Sequence, residues 1–175
     1  MSSLYIASTP IGNLEDITLR ALRVFKEVGL IAAEDTRTTR KLLTAYNVRT
    51  PVLSYNEHNR RARIPLLLKR LEREDVALVS EAGTPGISDP GYFLVQAAIE
   101  HGVAVVPLPG PSAVTIAVAI SGLPSDGFLF LGFFPDRAGV EKQHIRFFRV
   151  VGGLQAVAGF EQVHHAGRIV LVHLA

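Results

Sequence analysis

Short apolar runs alternate with amphipathic stretches along the first 120 residues, and this alternation constrains the fold more than any other feature of the chain. Each run has the length of a strand, and the stretch after it repeats its apolar residues at helical spacing. Five strand–helix units in succession favour an α/β protein with a mostly parallel, doubly wound sheet. The predicted strands cover residues 4–7, 30–33, 51–54, 76–80 and 103–107.

The predicted helices begin at residues that favour helix N-termini. Asp16, Thr36 and Ser112 are predicted N-caps, and Pro90 suits the first turn of the helix after the fourth strand. Because each of these signals falls between two predicted strands, they support the same strand–helix order.

The regular pattern ends after residue 133. One strand is predicted at 128–133 and a last one at 170–174, with short, glycine-interrupted segments between them. The sequence therefore predicts an N-terminal α/β domain at 1–122 and the start of a second, incomplete α/β domain at 123–175.

Composition excludes several classes of site. The 175 residues include no cysteine, which removes disulfides, thiolate metal ligands, iron–sulfur clusters and a cysteine nucleophile. No apolar run reaches the roughly 18 residues of a membrane span, and the N-terminus does not resemble a signal peptide. We therefore expect a soluble, cytoplasmic protein with no metal and no membrane partner.

Positive charge is concentrated in one segment. Residues 37–73 hold ten Lys or Arg against two acids, a balance of +8 in a chain whose net charge is +2. Such asymmetry suggests a polyanionic partner such as RNA, while solvated helix faces explain the charge equally well. The candidate substrate-binding residues are Arg37, Arg40, Lys41, Arg60, Arg61 and Arg63.

Three loops rich in Pro and Gly follow predicted strands: the first loop (8–14), the second loop (80–91) and the third loop (107–113). Ligands of open parallel sheets bind beyond the carboxyl ends of the strands, where such loops gather. Pro and Gly stiffen the loops and leave peptide groups open to a ligand, so we expect a ligand that is recognised mainly through backbone contacts.

Other motifs give no clear site. The chain has no P-loop, no dinucleotide fingerprint after the first strand and no nucleophile elbow. His164, His165 and His173 lack the spacing of a zinc peptidase. Glu34 and Asp35 point apart as sequence neighbours, so one of them is expected to cap the next helix or pair with an arginine; substrate contact remains the alternative.

Four segments of the chain carry long motifs: PIGNLEDIT at 10–18, AEDTR at 33–37, LVSEAGTPGISDPG at 78–91 and PGPSA at 109–113. Together they resemble the tetrapyrrole methylase superfamily, and more closely its branch of ribosomal RNA small-subunit methyltransferases I. The resemblance implies S-adenosylmethionine as methyl donor, bound in a cleft between two α/β domains. It also implies a homodimer that methylates the 2′-oxygen of a cytidine in the decoding region of 16S ribosomal RNA in the small ribosomal subunit.

The resemblance also implies the residues that contact the donor; no catalytic residue follows from it. The expected cofactor-binding residues are Ile11, Gly83, Thr84, Ile87, Ser112 and Ala113. The resemblance is expected to end at Pro135, where relatives continue into the rest of a second domain. We therefore expect this chain to bind the donor weakly, to have little or no activity and to self-associate.

Two alternatives remain at this stage. The first is a methyltransferase of a tetrapyrrole or another small acidic substrate, against which the basic segment argues weakly. The second is a non-catalytic RNA-binding fragment that lacks a complete second domain. Binding of the donor separates the second alternative from both enzymes.

Overall fold

The computed structural model describes residues 2–123, 125–133, 155–158 and 170–174. The chain divides into two compact units, 1–112 and 113–175. In the described ranges, no helix is long and apolar enough to cross a membrane.

The first unit is a five-stranded sheet with the order β3-β2-β4-β1-β5, and all neighbouring strands are parallel. A single 3₁₀ turn, Leu14–Asp16, precedes α1. This confirms the predicted α/β class and all five strands, with shifts of one residue at some ends. The elements are β1 (Ser3–Ala7), α1 (Leu19–Glu27), β2 (Leu30–Ala33), α2 (Thr36–Ala45), β3 (Val52–Ser54), α3 (Arg60–Leu71), β4 (Val76–Val79), α4 (Gly91–Glu100) and β5 (Ala104–Leu108).

Helices cover both faces of this sheet because alternate strand residues point to opposite sides. Ile31 of β2 belongs to the core cluster that also holds Phe25 of α1 and Leu43 of α2. Leu30, one residue earlier, belongs to the other cluster, together with Leu94 of α4 and residues of α3. All four residues of β2 and of β4 are buried, as a parallel sheet covered on both faces requires.

Two predicted caps are wrong. Asp16 lies in the 3₁₀ turn, and Thr18 caps α1 by accepting a hydrogen bond at Oγ1 from the N–H of Ala21, at 3.1 Å. Thr36 is the first residue of α2, and Asp35 caps it by accepting from the N–H of Arg37, at 2.7 Å. In both cases a residue one or two positions from the predicted one has the extended backbone that an N-cap needs.

The second unit contains α5 (Ala113–Ile120), β6 (Phe128–Phe133), β7 (Gln155–Ala158) and β8 (Val170–Leu174). Its three strands are parallel, in the order β6-β8-β7. The predicted strands at 128–133 and 170–174 are confirmed, whereas β7 was not predicted, because glycines flank it and obscure its pattern.

The unit boundary precedes α5, whereas the sequence places the domain boundary ten residues later, after 122. The physical reason is that α5 packs within the second unit: Val114 and Val118 form a buried cluster with Leu123 and Phe130. Phe130 is therefore partly covered, and Phe128 is 45% exposed. Phe147, Phe148 and Phe160, which could also contribute to the expected self-association, lie outside the described residues.

Candidate functional site

The three loops follow β1, β4 and β5, which are neighbours in the sheet. Parallel strands end at the same edge, so the loops after them meet there. A pair of backbone hydrogen bonds joins the first loop to the second: the N–H of Thr9 donates to the carbonyl of Gly83 (2.9 Å), and the N–H of Gly83 donates back to Thr9 (3.0 Å). The sequence expectation that these loops gather is thus confirmed within the first unit.

Hydroxyl groups tie all three loops together. The hydroxyl of Thr84 donates to the carbonyl of Pro111 in the third loop, at 3.2 Å. Its single proton is used there, so Thr84 accepts from the hydroxyl of Ser8, which lies 2.8 Å away. We call this chain of Ser8, Thr84 and Pro111 the hydroxyl clasp.

Two glycines allow the loop backbones to come this close. Gly83 has φ of +75°, a left-handed conformation that strains any residue with a Cβ. A Cβ on Gly110 would lie 2.9 Å from the Cβ of Ser8, which is closer than real side chains approach. The edge is therefore built from backbone and small side chains.

One buried polar atom in these loops has no partner. Thr9 is 4% exposed, and its Oγ1 makes no hydrogen bond within the part of the chain that the structure describes. An unpaired buried hydroxyl is costly, so native structures usually provide it with a partner, a water or a ligand. Thr9 thus marks a place where a bound molecule would be stabilised.

The end of the second loop is fixed by Asp89. Both of its carboxylate oxygens accept from the N–H of Gly86 at 2.9 Å, and Oδ1 also accepts from the N–H of Gly91 at 2.6 Å. Burial raises the pKa of Asp89, while these N–H groups act in the opposite direction. Tyr55 adds a second brace by donating its buried hydroxyl to the carbonyl of Pro90, at 2.9 Å, and burial raises the pKa of Tyr55 to about 12.

The structure brings together some of the expected cofactor-binding residues. Gly83 and Thr84 lie in the bridge and in the clasp, and Ile11 lies beside Gly83, with Cγ2 3.5 Å from where a Cβ on Gly83 would stand. Ile87 is 45% exposed farther along the second loop. Ser112 closes the first unit, and Ala113 is the first residue of α5 and of the second unit.

Sequence reasoning missed Ser8, Thr9, Gly110 and Asp89. All four are small or acidic residues inside loops. Ser8, Thr9 and Gly110 each contact a residue of another loop, and Asp89 binds backbone N–H groups at the end of its own loop. The available signal was two adjacent hydroxyl residues, Ser8 and Thr9, directly after the first strand.

The candidate RNA-binding residues lie on α2 and α3, which begin at the same edge of the sheet because they follow β2 and β3. The first turn of α3 carries arginines and no acid, and no side chain caps it. Positive charge at a helix N-terminus opposes the helix dipole, so this placement costs stability that a bound anion would offset. The side chain of Arg37 is 87% exposed, and Arg40, Lys41 and Arg61 are exposed as well.

Arg60 differs from these residues. Its Nε lies 2.8 Å from Oε1 of Glu57, its guanidinium carbon lies 3.6 Å from the centre of the Phe93 ring, and its side chain is 19% exposed. These contacts favour a role in holding α3 against α4. Arg63 is half-buried.

The neighbouring acids Glu34 and Asp35 make different contacts. Asp35 caps α2 and pairs with the guanidinium of Arg37 at 3.5 Å, and these contacts, the N–H of Arg37 first, lower its pKa. This confirms the expected structural role for one of the pair. Glu34 turns to the second loop, where Oε2 accepts from the N–H of Glu81 at 3.1 Å. Burial, together with the charges of Asp89, Glu81 and Asp35, raises the pKa of Glu34 against that hydrogen bond.

The raised pKa of Glu34 has a consequence for stability. A carboxyl group whose pKa is higher in the folded state stabilises the fold below its unfolded pKa, and this stabilisation is lost as the pH rises through the folded pKa. Glutamine keeps an oxygen for the Glu81 N–H and does not titrate. We therefore expect Glu34→Gln to raise the free energy of unfolding relative to the original chain at about pH 8, and the gain to shrink at about pH 4. Urea unfolding at both pH values measures the two free energies of unfolding. A variant that is no more stable than the original chain at about pH 8 would contradict this prediction.

Among the described residues, no group of three or more His, Asp or Glu side chains is placed to hold a metal ion. His164 and His165 lie outside the described residues. His173 is in β8.

A doubly wound parallel sheet with interlocked, glycine-rich loops at its carboxyl edge places the chain among the α/β proteins, whose ligands commonly bind at that edge. The family model of the Tetrapyrrole (Corrin/Porphyrin) Methylases matches residues 3–159, and the chain belongs to this family. The family match extends past Pro135 to residue 159.

The chain also matches individual curated proteins. The chain is 53% identical over 138 residues to the Ribosomal RNA small subunit methyltransferase I of Mesorhizobium japonicum, covering 78% of this chain and 47% of that protein. It is 54% identical over 136 residues to the protein of that name from Thermotoga maritima, covering 77% and 61%. The chain thus spans about half the length of the curated relatives it matches.

Solved structures support the fold. A conserved hypothetical protein of Aeropyrum pernix K1 matches with a TM-score of 0.67 and 20% identity, over 88% of this chain and 56% of that one. The uroporphyrin III C-methyl transferase of Thermus thermophilus matches with a TM-score of 0.55 and 23% identity, over 77% and 64%. At these identities the likeness shows a shared fold.

Proposed function

We propose that this chain carries the donor-binding part of an S-adenosylmethionine-dependent methyltransferase that modifies small-subunit ribosomal RNA. The observation that carries the proposal is the interlocked loop edge of the first unit, in a chain that belongs to a family of methylases. Relatives about 50% identical are named for this reaction, which supports ribosomal RNA as the substrate.

The loop edge offers the donor two kinds of hydrogen-bonding partner. S-adenosylmethionine offers an adenine, a ribose and an amino acid end, which are rich in hydrogen-bonding groups. The unpaired hydroxyl of Thr9 gives one partner for such a group, and the backbone around Gly83 gives others. We propose that Ile11, Gly83, Thr84, Ile87, Ser112 and Ala113 form the donor contacts.

The exposed cations of α2 and α3 are proposed to hold the RNA. Phosphate contacts position a nucleic acid without reading its sequence, so a basic surface beside the donor loops suits this task. The finer assignment, which comes from the family resemblance, is the 2′-oxygen of a cytidine in the decoding region. A homodimer and a cytoplasmic location belong to the same proposal.

The chemistry asks mainly for positioning. When bound, the donor supplies an electrophilic methyl group on a sulfonium. The protein must align the acceptor hydroxyl in line with the methyl–sulfur bond and exclude water. The stiff loops provide a preformed surface for this alignment, and a nearby base must take the hydroxyl proton.

The test is a calorimetric titration of the chain with S-adenosylmethionine, followed by methyl incorporation into small ribosomal subunits. We expect binding, and incorporation well below that of the longer Mesorhizobium japonicum relative assayed beside it, because this chain spans 47% of that protein. Absence of donor binding would overturn the proposed donor site, and RNA binding would be the function that remains. Donor binding with methylation of a tetrapyrrole, and none of RNA, would overturn the substrate.

A further inference from the structure

Glu34 lies where two functional halves of the sheet edge meet. In the order β3-β2-β4-β1-β5, the strands β4, β1 and β5 lead into the three interlocked loops. On the other side, β2 and β3 lead into α2 and α3, which carry the exposed cations. Glu34 follows β2 directly, so it lies at the boundary between the proposed donor side and the proposed RNA side. Neighbouring strands are roughly 5 Å apart, and β4, the first strand of the donor side, is the neighbour of β2.

Two hydrogen bonds hold Glu34 in this position. Its N–H donates to the carbonyl of Val79 at the end of β4 (3.2 Å), and Oε2 accepts from the N–H of Glu81 at the start of the second loop (3.1 Å). Oε1 accepts no hydrogen bond from the residues that the structure describes. One oxygen is thus anchored, and the other remains available to a bound molecule.

The charge environment of Glu34 is unusual for a structural carboxylate. The groups that face it are the carboxylates of Asp89, Glu81 and Asp35, and it forms no ion pair in the described part of the chain. Half-buried acids without a cation cost stability, and such groups are often functional.

The other acidic groups of this edge that are at least partly buried are already engaged. Asp35 caps α2. Both oxygens of Asp89 accept backbone N–H groups. The hydroxyl of Tyr55 is buried and donates to Pro90. Glu34 is therefore the partly buried acid at this edge with an oxygen left for a proton, whereas the carboxylate of Glu81 beside it is exposed to water.

We propose that Glu34 is the catalytic base, whose carboxylate takes the proton from the acceptor hydroxyl during methyl transfer; this inference rests on the proposed function. The hydroxyl oxygen forms a bond to the methyl carbon, and the carbon–sulfur bond breaks with its electron pair going to sulfur. The O–H bond breaks, its proton passes to the carboxylate of Glu34 and its electron pair stays on oxygen. The proton then leaves to water.

The binding test compares S-adenosylmethionine with S-adenosylhomocysteine, which lacks the methyl group and its positive charge. A sulfonium near Glu34 favours the ionised carboxylate, so at about pH 5 the donor should release more protons on binding than the product does. Because this difference comes from the titration of Glu34, it should shrink as the pH is raised toward about 8. Calorimetry in two buffers of different ionisation enthalpy measures the protons released.

Two variants make this test specific. In Glu34→Gln the difference at about pH 5 should disappear while donor affinity stays within about threefold. Glu72→Gln, which removes one exposed carboxylate at the far end of α3, should keep the difference. An unchanged difference in Glu34→Gln would overturn the inference alone, because the donor would still bind. No donor binding by the original chain would overturn the proposed function and this inference with it.

Methyl transfer gives an independent readout. Glu34→Gln should lower kcat by about 100-fold with little change in KM, and it should remove the acid limb of the pH profile, whereas Glu72→Gln should do neither. A kcat within about threefold of the original would overturn the inference. If the original chain binds the donor and transfers no methyl group, the proton-release difference decides.

Discussion

Gly83→Val is expected to weaken S-adenosylmethionine binding by at least 100-fold, or about 2.8 kcal/mol of binding free energy. Gly83 has φ of +75° and exchanges two backbone hydrogen bonds with Thr9, so the bridge between the first and second loops depends on this conformation. A β-branched residue is strained there by about 1 to 3 kcal/mol and would move the bridge apart. Its side chain would also stand where the donor is proposed to approach the backbone.

Gly102→Val is the matched control. Gly102 has φ of +69°, nearly the same conformation, and lies between α4 and β5 at the opposite edge of the sheet. A Cβ there meets open space, so the strain is comparable while the loop edge is untouched. Thermal unfolding should show similar losses in both variants, and calorimetry should show lost affinity only in Gly83→Val. Equal donor affinity in the two variants would mean that the second loop is not the donor site.

Replacing Arg37, Arg40 and Arg61 together by Ala is expected to weaken binding to small-subunit ribosomal RNA by about 100-fold at low salt. The three side chains are exposed on α2 and α3, which begin at the same edge of the sheet as the three loops. If each contacts one phosphate, the slope of log affinity against log salt should fall by about three units. Arg60 is left in place because its contacts with Glu57 and Phe93 support the fold.

Replacing Lys26, Lys69 and Arg73 by Ala removes the same charge elsewhere. These exposed cations lie at or just beyond the C-terminal ends of α1 and α3, away from the loop edge. Filter binding across a salt series should show a nearly unchanged slope for this control. Equal losses in both triple variants would show that net charge, rather than a defined RNA surface, governs binding, and would favour a small substrate.

The sequence by itself determined the class of fold and predicted where the candidate site lies. Periodicity of 2 and of 3.6 residues is a local property, so the strands of the first unit and β6 could be located within a residue or two. Clusters of Pro and Gly indicate loops. Because the carboxyl ends of parallel strands share one edge of the sheet, the gathering of the three loops there could be predicted. Ile11, Gly83 and Thr84 were placed by family motifs in those same loops.

Only the tertiary structure decided which side chains are engaged and which are available. Ser8, Thr84 and Pro111 meet over separations of 76 and 27 residues, and no local pattern encodes such a contact. Arg60 and Arg61 look alike in sequence, but packing against α4 occupies the first and leaves the second exposed. Glu34 and Asp35 likewise separate into a base candidate and a cap because one faces the β4 side and the other begins α2. Hydrogen bonding and burial depend on neighbours distant in the chain, so these roles become visible when the sheet order is known.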